Sequence, residues 1–309
     1  MRPSGRWGSL ARMRVYVTGA RGFVGRRLVA HLAANGHSVH GSERETDVCD
    51  VSALGHEIAA AAPDAVVHLA AQSSVAASFR DPEGCFRVNY QGSLNLLGSV
   101  ERAAPRARVL LVGSADQYGG QPLGTPALRE TDPLSPGSPY ARSKAAAEEL
   151  GERWNQRGGN VVMTRSFNHT GPGQADHFVA PSFARQVAEI AAGLHPPSMS
   201  VGNLDSVRDF LHVDDVIEAY SALLEAPAEP GVYNVASGEP RTIGELLDAL
   251  LARVGIEPRI EIDPDRLRPT DQLLGDASKL RRATGWRAQR RFSELIDDIA
   301  SDWLERVRA

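Results

Sequence analysis

Arg14-Val15-Tyr16-Val17-Thr18-Gly19-Ala20-Arg21-Gly22-Phe23-Val24-Gly25 decides the fold. The first five residues are a short β-rich run. They meet a Gly-x-x-Gly-x-x-Gly turn, and Phe23 to Ala34 then reads as a helix. Each glycine has its own use: Gly19 permits a tight turn, Gly22 lets backbone approach a pyrophosphate, and Gly25 lets helix pack on strand. The helix start offers N–H groups and the positive end of a dipole to phosphates. A glycine triplet alone is a common turn. Strand before and helix after make this one a dinucleotide site, with Phe23 and Val24 beside the cofactor.

Working outward, Ser38 to Gly41 is a second strand, Ser52 to Ala62 a helix stopped by Pro63-Asp64, and Ala65 to Leu69 a third strand. Asn89 to Ala103 is helical, Val109 to Val112 a fourth strand, Tyr140 to Trp154 a helix and Val161 to Arg165 a fifth strand. Strands alternating with helices at this spacing predict an α/β fold: a doubly wound parallel sheet of Rossmann type. After about residue 168 prolines and glycines cluster, which predicts a smaller C-terminal substrate-binding domain over the strand ends. The expected division is 13–168 with 206–236 for the NAD(P)-binding domain and 169–205 with 237–309 for the second, with 1–12 as a flexible extension.

The chain has 309 residues, enough for such a core, with 42% hydrophobic and 23% charged residues. A formal net charge of −4 argues against a dedicated nucleic-acid binder. Cys49 and Cys85 show no metal-ligand spacing and no disulfide framework, so no metal is expected and both thiols read as reduced and buried, in a cytoplasmic protein. No apolar run is long enough to span a membrane. Beyond the second strand, Glu43 would bind ribose hydroxyls and favour NAD, whereas Arg44 would bind a 2′-phosphate and favour NADP. Both also suit a solvated loop, so NADPH and NADH stay open. Asp47 and Val48 fall where an adenine contact would form.

Tyr140-Ala141-Arg142-Ser143-Lys144 is Tyr-x-x-x-Lys, which on a helix sets phenol and ammonium side by side. A neighbouring ammonium and a cationic nicotinamide favour the phenolate, so the Tyr140 pKa is expected to fall. Ser114 follows the fourth strand, where a hydroxyl polarises a carbonyl. Arg208 and Arg268 have the fork geometry that binds diphosphate oxygens in pairs. Arg185 is a further candidate, though it also reads as a helix-surface charge.

With these motifs on the page, the chain from Met13 nearly to its end resembles the extended short-chain dehydrogenase/reductases, the NAD-dependent sugar-nucleotide epimerase/dehydratase family. Matching pieces are His68-Leu69-Ala70-Ala71-Gln72, Asn89 and Ser114-Ala115-Asp116-Gln117-Tyr118-Gly119. The resemblance implies that Leu69, Ala70 and Ala71 lie along the cofactor and that Asn89 steadies the middle of the sheet. Arg165 to Gln174 resembles the loop touching nicotinamide and sugar, which makes Asn168 a substrate contact. Val201-Gly202-Asn203-Leu204 with Arg208-Asp209-Phe210 resembles the segment holding the nucleotide, and Arg268-Pro269-Thr270-Asp271 is most similar to enzymes that handle GDP-mannose derivatives. Val201, Arg208, Arg268 and Asp271 are therefore expected at a nucleotide-sugar substrate. A homodimer through Asn89–Ala103 and Tyr140–Trp154 is also implied.

Related 4,6-dehydratases place a glutamate two residues after the catalytic hydroxyl residue, with a polar residue between. Here Ala115 cannot transfer a proton, and Asp116 is one methylene short of glutamate. The reading therefore favours reduction of the C4 ketone of GDP-4-keto-6-deoxy-D-mannose to GDP-D-rhamnose, with Ser114, Tyr140 and Lys144 as the catalytic set. A dehydratase or epimerase with retained NAD(P), using Asp116 as base, is the alternative. A non-catalytic cofactor sensor is a third reading, disfavoured because a sensor has no need of all three catalytic residues.

Overall fold

The computed structural model describes residues 12–42 and 47–308. Its first half runs β1 (Arg14–Thr18), α1 (Phe23–Ala34), β2 (Ser38–Gly41), α2 (Val51–Ala61), β3 (Ala65–His68), α3 (Val75–Arg80), α4 (Pro82–Phe86), α5 (Gly92–Ala103), β4 (Arg108–Val112), α6 (Pro139–Gln156) and β5 (Val161–Ser166). The second half runs β6 (Asn168–Thr170), α7 (Val179–Ala191), β7 (Ser198–Val201), β8 (Val207–His212), α8 (Val213–Glu225), β9 (Gly231–Val235), β10 (Pro240–Thr242), α9 (Ile243–Val254), β11 (Arg259–Ile262), β12 (Gln272–Leu273), α10 (Ser278–Thr284) and α11 (Phe292–Arg308).

The main sheet is parallel throughout, in the order β2-β1-β3-β4-β5-β9. Both of its faces are covered, which is why its strands are continuous apolar runs. Alternate residues go to opposite layers. Val15, Val17, Leu110 and Val162 pack with Leu28 and Leu32 of α1 and Val216 and Tyr220 of α8. Tyr16, Val66, Val109 and Val161 pack with Leu54 and Ile58 of α2 and Leu96, Leu97 and Val100 of α5. A third core, around Phe183, Leu246, Leu250, Leu295 and Ile299, joins α7, α9 and α11. There β8 pairs with β6, β10 and β12 in a second sheet, and β7 pairs with β11.

The strand order turns back at β1, which has β2 on one side and β3 on the other. A crevice opens beyond the carboxyl ends of β1 and β3, the place where doubly wound folds bind ligands. The elements expected from sequence match those observed within a residue or two. The exception is the helix at Asn89, which begins as a π-helical turn over Arg87–Gln91 before α5. Cys85 is buried as expected, but Cys49 is only half-buried, on the turn before α2, with its thiol donating to Arg87 O at 3.3 Å. Among the described residues no helix is long and apolar enough to cross a membrane, and no cluster of metal-ligating side chains occurs.

Candidate active site

One cleft of about 710 Å³ opens at the switch point. The glycine turn forms one wall. Gly19 has φ +66°, and a Cβ there would stand 2.8 Å from Ala70 N, because the loop after β3 crosses directly over the turn. A Cβ on Gly25 would fall 2.1 Å from Gly19 O, so helix and turn touch only because residue 25 lacks a side chain. Helix α1 starts at Gly22 without a side-chain cap, which leaves first-turn N–H groups for an anion. The cradle thus suits a dinucleotide pyrophosphate.

The loop after β3 is held from two sides. Thr18 Oγ1 accepts from Ala70 N at 3.2 Å and lies 2.7 Å from His68 Nδ1. Burial, then the Lys144 charge, push the His68 imidazole down to about 3, so it stays neutral beside the Thr18 hydroxyl. Asn89 accepts from Gln72 N (2.9 Å) and donates to Gln72 O (3.0 Å) and to Ser143 Oγ (2.9 Å). It therefore ties the loop after β3, a central strand of the sheet, to α6. Leu69 and Ala71 line the cleft; Ala70 backs Gly19 and Asn89 stands behind the wall.

Tyr140 and Lys144 share one face of α6, which starts from the Ser138 cap with Pro139 in its first turn. Both line the cleft with Ser114 and Asp116. Lys144 Nζ donates to Val112 O at 2.8 Å, and burial pulls its ammonium down to about 8. The phenol moves opposite to the sequence expectation. Burial, followed by the nearby Asp116 charge, pushes Tyr140 above the ordinary tyrosine range, and the Ser114 hydroxyl only partly opposes this. The Lys144 charge does not offset the desolvation of a phenolate in this wall. Asp116 is also pushed up, by burial first, with Arg208 opposing and Asp271 reinforcing. Ser114 Oγ accepts from Asp116 N at 3.2 Å, which leaves its proton to donate into the cleft.

The substrate candidates separate. Asn168 and Arg268 line the cleft. The Arg268 loop is held by Asn203, whose Nδ2 donates to Arg268 O (2.9 Å) and Thr270 Oγ1 (2.8 Å). Arg208 is bound to Asp271, Nη2 to Oδ1 at 2.7 Å, and its Nη1 donates to Val207 O at 2.8 Å. Both charges lie near enough to Asp116 to act on its carboxyl. Val201 is fully buried under α7 and α9, so its side chain is core. Arg185 is taken up by Asp176 and Glu189 and lies outside the cleft lining. Asp47 accepts from Cys49 N and Arg87, and Val48 is buried against Gly92 of α5; neither lines the cleft. Glu43 and Arg44 lie outside the described residues. The cleft also takes in Ser73, Val75 and Phe79 from the α3 rim, and His169, Gln174 and Phe178. His169 and Gln174 belong to the Arg165–Gln174 loop expected at the nicotinamide and sugar; the α3 rim and Phe178 were not singled out in sequence, although Ser73-Ser74 directly follows the His68–Gln72 motif and Ser74 caps α3.

A pyrophosphate cradle at the switch point, facing a serine and a Tyr-x-x-x-Lys helix, defines an NAD(P)-dependent short-chain dehydrogenase/reductase. The profile of the GDP-mannose 4,6 dehydratase family matches residues 42–299, and the chain belongs to that family. It is 38% identical over 300 residues to GDP-6-deoxy-D-mannose reductase of Pseudomonas aeruginosa, covering 96% of this chain and 98% of that one. It is 31% identical to GDP-mannose 4,6 dehydratase 2 of Arabidopsis thaliana, over 94% of this chain and 86% of that protein. The solved structure of RMD from Pseudomonas aeruginosa complexed with NADPH superposes with a TM-score of 0.88 at 37% identity, over 95% and 99% of the two chains. UDP-glucose 4-epimerase of Thermus thermophilus complexed with NAD gives 0.84 at 31%, over 94% and 99%.

Proposed function

We propose that this enzyme reduces the C4 ketone of GDP-4-keto-6-deoxy-D-mannose to GDP-D-rhamnose. The observation that carries the reading is position 115. Ala115 is buried between Ser114 and Asp116, so the turn beside Tyr140 holds no adjacent pair of acid–base side chains for elimination. Asp116, one methylene shorter than glutamate, reaches less far toward a sugar proton. The 38% identity to a GDP-6-deoxy-D-mannose reductase supports the same reading.

NADPH or NADH, held by the glycine turn, supplies the hydride that C4 receives. Tyr140, which lines the cleft beside Ser114, gives its proton to the ketone oxygen. Ser114 donates a hydrogen bond to the same oxygen as charge develops. Lys144, anchored on Val112 O, keeps two ammonium protons for the cofactor ribose and for the phenolate left behind. Arg208 and Arg268 bind the diphosphate, with Asp271 holding Arg208, and Asn168 meets the sugar. On this reading 13–168 with 206–236 serve the cofactor and 169–205 with 237–309 the nucleotide sugar. The enzyme works in the cytoplasm as a homodimer through α5 and α6, whose state light scattering would read.

The test supplies purified protein with GDP-4-keto-6-deoxy-mannose and NADH or NADPH. Loss of reduced cofactor with a 6-deoxyhexose product supports the reductase and ranks the cofactors. Formation of a keto sugar from GDP-mannose alone, with no cofactor consumed, gives the site to a dehydratase and overturns it.

A further inference from the structure

The Gln117 side chain lies outside the cleft and is fully buried, and both ends of its amide are engaged. Its Oε1 accepts from Ser114 N at 3.0 Å, closing a capping box on the turn that carries the catalytic hydroxyl. Its Nε2 donates to Glu148 Oε2 at 2.8 Å. Glu148 is the third rung of the α6 face that carries Tyr140 and Lys144, four residues beyond the lysine. Arg165 of β5 fixes that carboxylate from the far side, with Nη2 to Oε1 at 2.6 Å and Nε to Oε2 at 3.0 Å. The amide has one permitted orientation. Its oxygen must face a backbone donor, and its NH2 must face a carboxylate. Gly113 makes room for it, since a Cβ there would stand 2.7 Å from Gln117 Oε1.

We infer that Gln117 is a positioning residue that sets Ser114 against Tyr140 by locking the Ser114 turn to the face of α6, with Glu148 and Arg165 as its anchor. Ser114 and Tyr140 come from elements 26 residues apart in sequence and must meet one ketone oxygen. A shift of about 1 Å between such groups costs on the order of a hundredfold in rate. Alongside the hydrogen bond from Lys144 Nζ to Val112 O, the buried amide bridge is a direct polar link between the two elements on that face, running from Ser114 N through Gln117 to Glu148.

This inference rests on the proposed reduction, and Gln117→Glu tests it. The substituted carboxyl preserves size and the acceptor toward Ser114 N, but it meets Glu148 acceptor to acceptor unless it is protonated. Charged groups facing it are Glu148 of α6, Arg165 of β5 and Asp116 of its own turn. Glu148 and burial together raise its pKa. The expected kcat for the keto sugar approaches the wild-type value at low pH and falls about tenfold per pH unit above that pKa, a limb the wild type lacks. The melting temperature relative to wild type falls from the ordinary glutamate pKa of the unfolded chain up to that raised folded-state pKa and is level above it, because the folded state holds the proton that the unfolded state has already lost. Gln117→Leu should lower kcat at every pH with unchanged NADPH affinity. A Gln117→Glu profile that superimposes on wild type in both kcat and melting temperature overturns the inference. So does a loss of melting temperature with no change in kcat, which would leave the bridge purely structural. If wild type itself consumes no NADPH with the keto sugar, the reductase reading has failed instead. The pH dependence of melting still tests the amide lock, and kcat is then read on the reaction wild type performs.

Discussion

Replacing Gly19 with alanine separates backbone strain from collision, because Gly36 offers a control. Both residues have positive φ, +66° and +90°, but a Cβ on Gly36 meets nothing within 4 Å, whereas one on Gly19 meets Ala70 N at 2.8 Å and Leu69 C at 3.0 Å. Left-handed backbone costs a non-glycine residue about 1–2 kcal/mol. Stiffening the unfolded chain returns about 0.4–1 kcal/mol, so Gly36→Ala should cost about 1 kcal/mol. Gly19→Ala adds the displacement of Ala70, whose N–H donates to Thr18 Oγ1. Stranding that donor costs about 1–3 kcal/mol more. At about 2 °C per kcal/mol for a chain of this size, Gly36→Ala should melt about 2 °C lower and Gly19→Ala about 4–8 °C lower. The same displacement moves the loop that carries Leu69 and Ala71 along the cofactor wall. NADPH affinity should therefore fall about tenfold or more in Gly19→Ala, equivalent to about 1.4 kcal/mol, and stay unchanged in Gly36→Ala. Thermal unfolding and a fluorescence titration with NADPH read both quantities. Equal melting and equal NADPH affinity in the two variants would refute the crossing-loop argument.

Tyr140→Phe should lower turnover by about two to four orders of magnitude with NADPH binding intact; an active variant in the same reduction assay removes Tyr140 as the acid. The Lys144 ammonium is pulled down to about 8 from the ordinary 10.5. Unfolding then takes up a proton between those values, so stability should rise from pH 8 to 10.5, and comparison with Lys144→Met isolates this in cofactor-free protein. A flat difference between the two proteins across that window contradicts the burial of this amine. The Arg165–Glu148 pair is only 6% exposed on each side. Arg165→Met leaves a buried carboxylate and should cost about 3–5 kcal/mol by urea unfolding, more than Arg165→Met combined with Glu148→Leu.

What was legible in the sequence lies within single elements. The glycine triplet sits on one turn and Tyr140 and Lys144 on one helix, so spacing alone fixed their neighbourhood, and the apolar runs showed a sheet buried on both faces. What was not legible is pairing between elements. Arg208 reads as a free cation for a diphosphate, yet Asp271, 63 residues away, holds it because β8 pairs in parallel with β12 and brings Val207 opposite Gln272. Val201 reads as a ligand contact from its motif, yet β7 turns it into the core of the second half. The direction of the Tyr140 shift depended on how much wall surrounds the phenol, a property of packing and not of the motif. Gln117 shows the same division most sharply. In sequence it is one letter of a turn. Pairing of Val112 with Thr164 sets Arg165 beside the end of β4, and α6 crosses above with Glu148 one turn beyond Lys144. Register, and not the motif, makes that glutamine the hinge pin of the site. It follows that substitutions in the β4–β5 pairing should disturb Ser114 more than equal substitutions in β1–β2, which carry no part of this bridge.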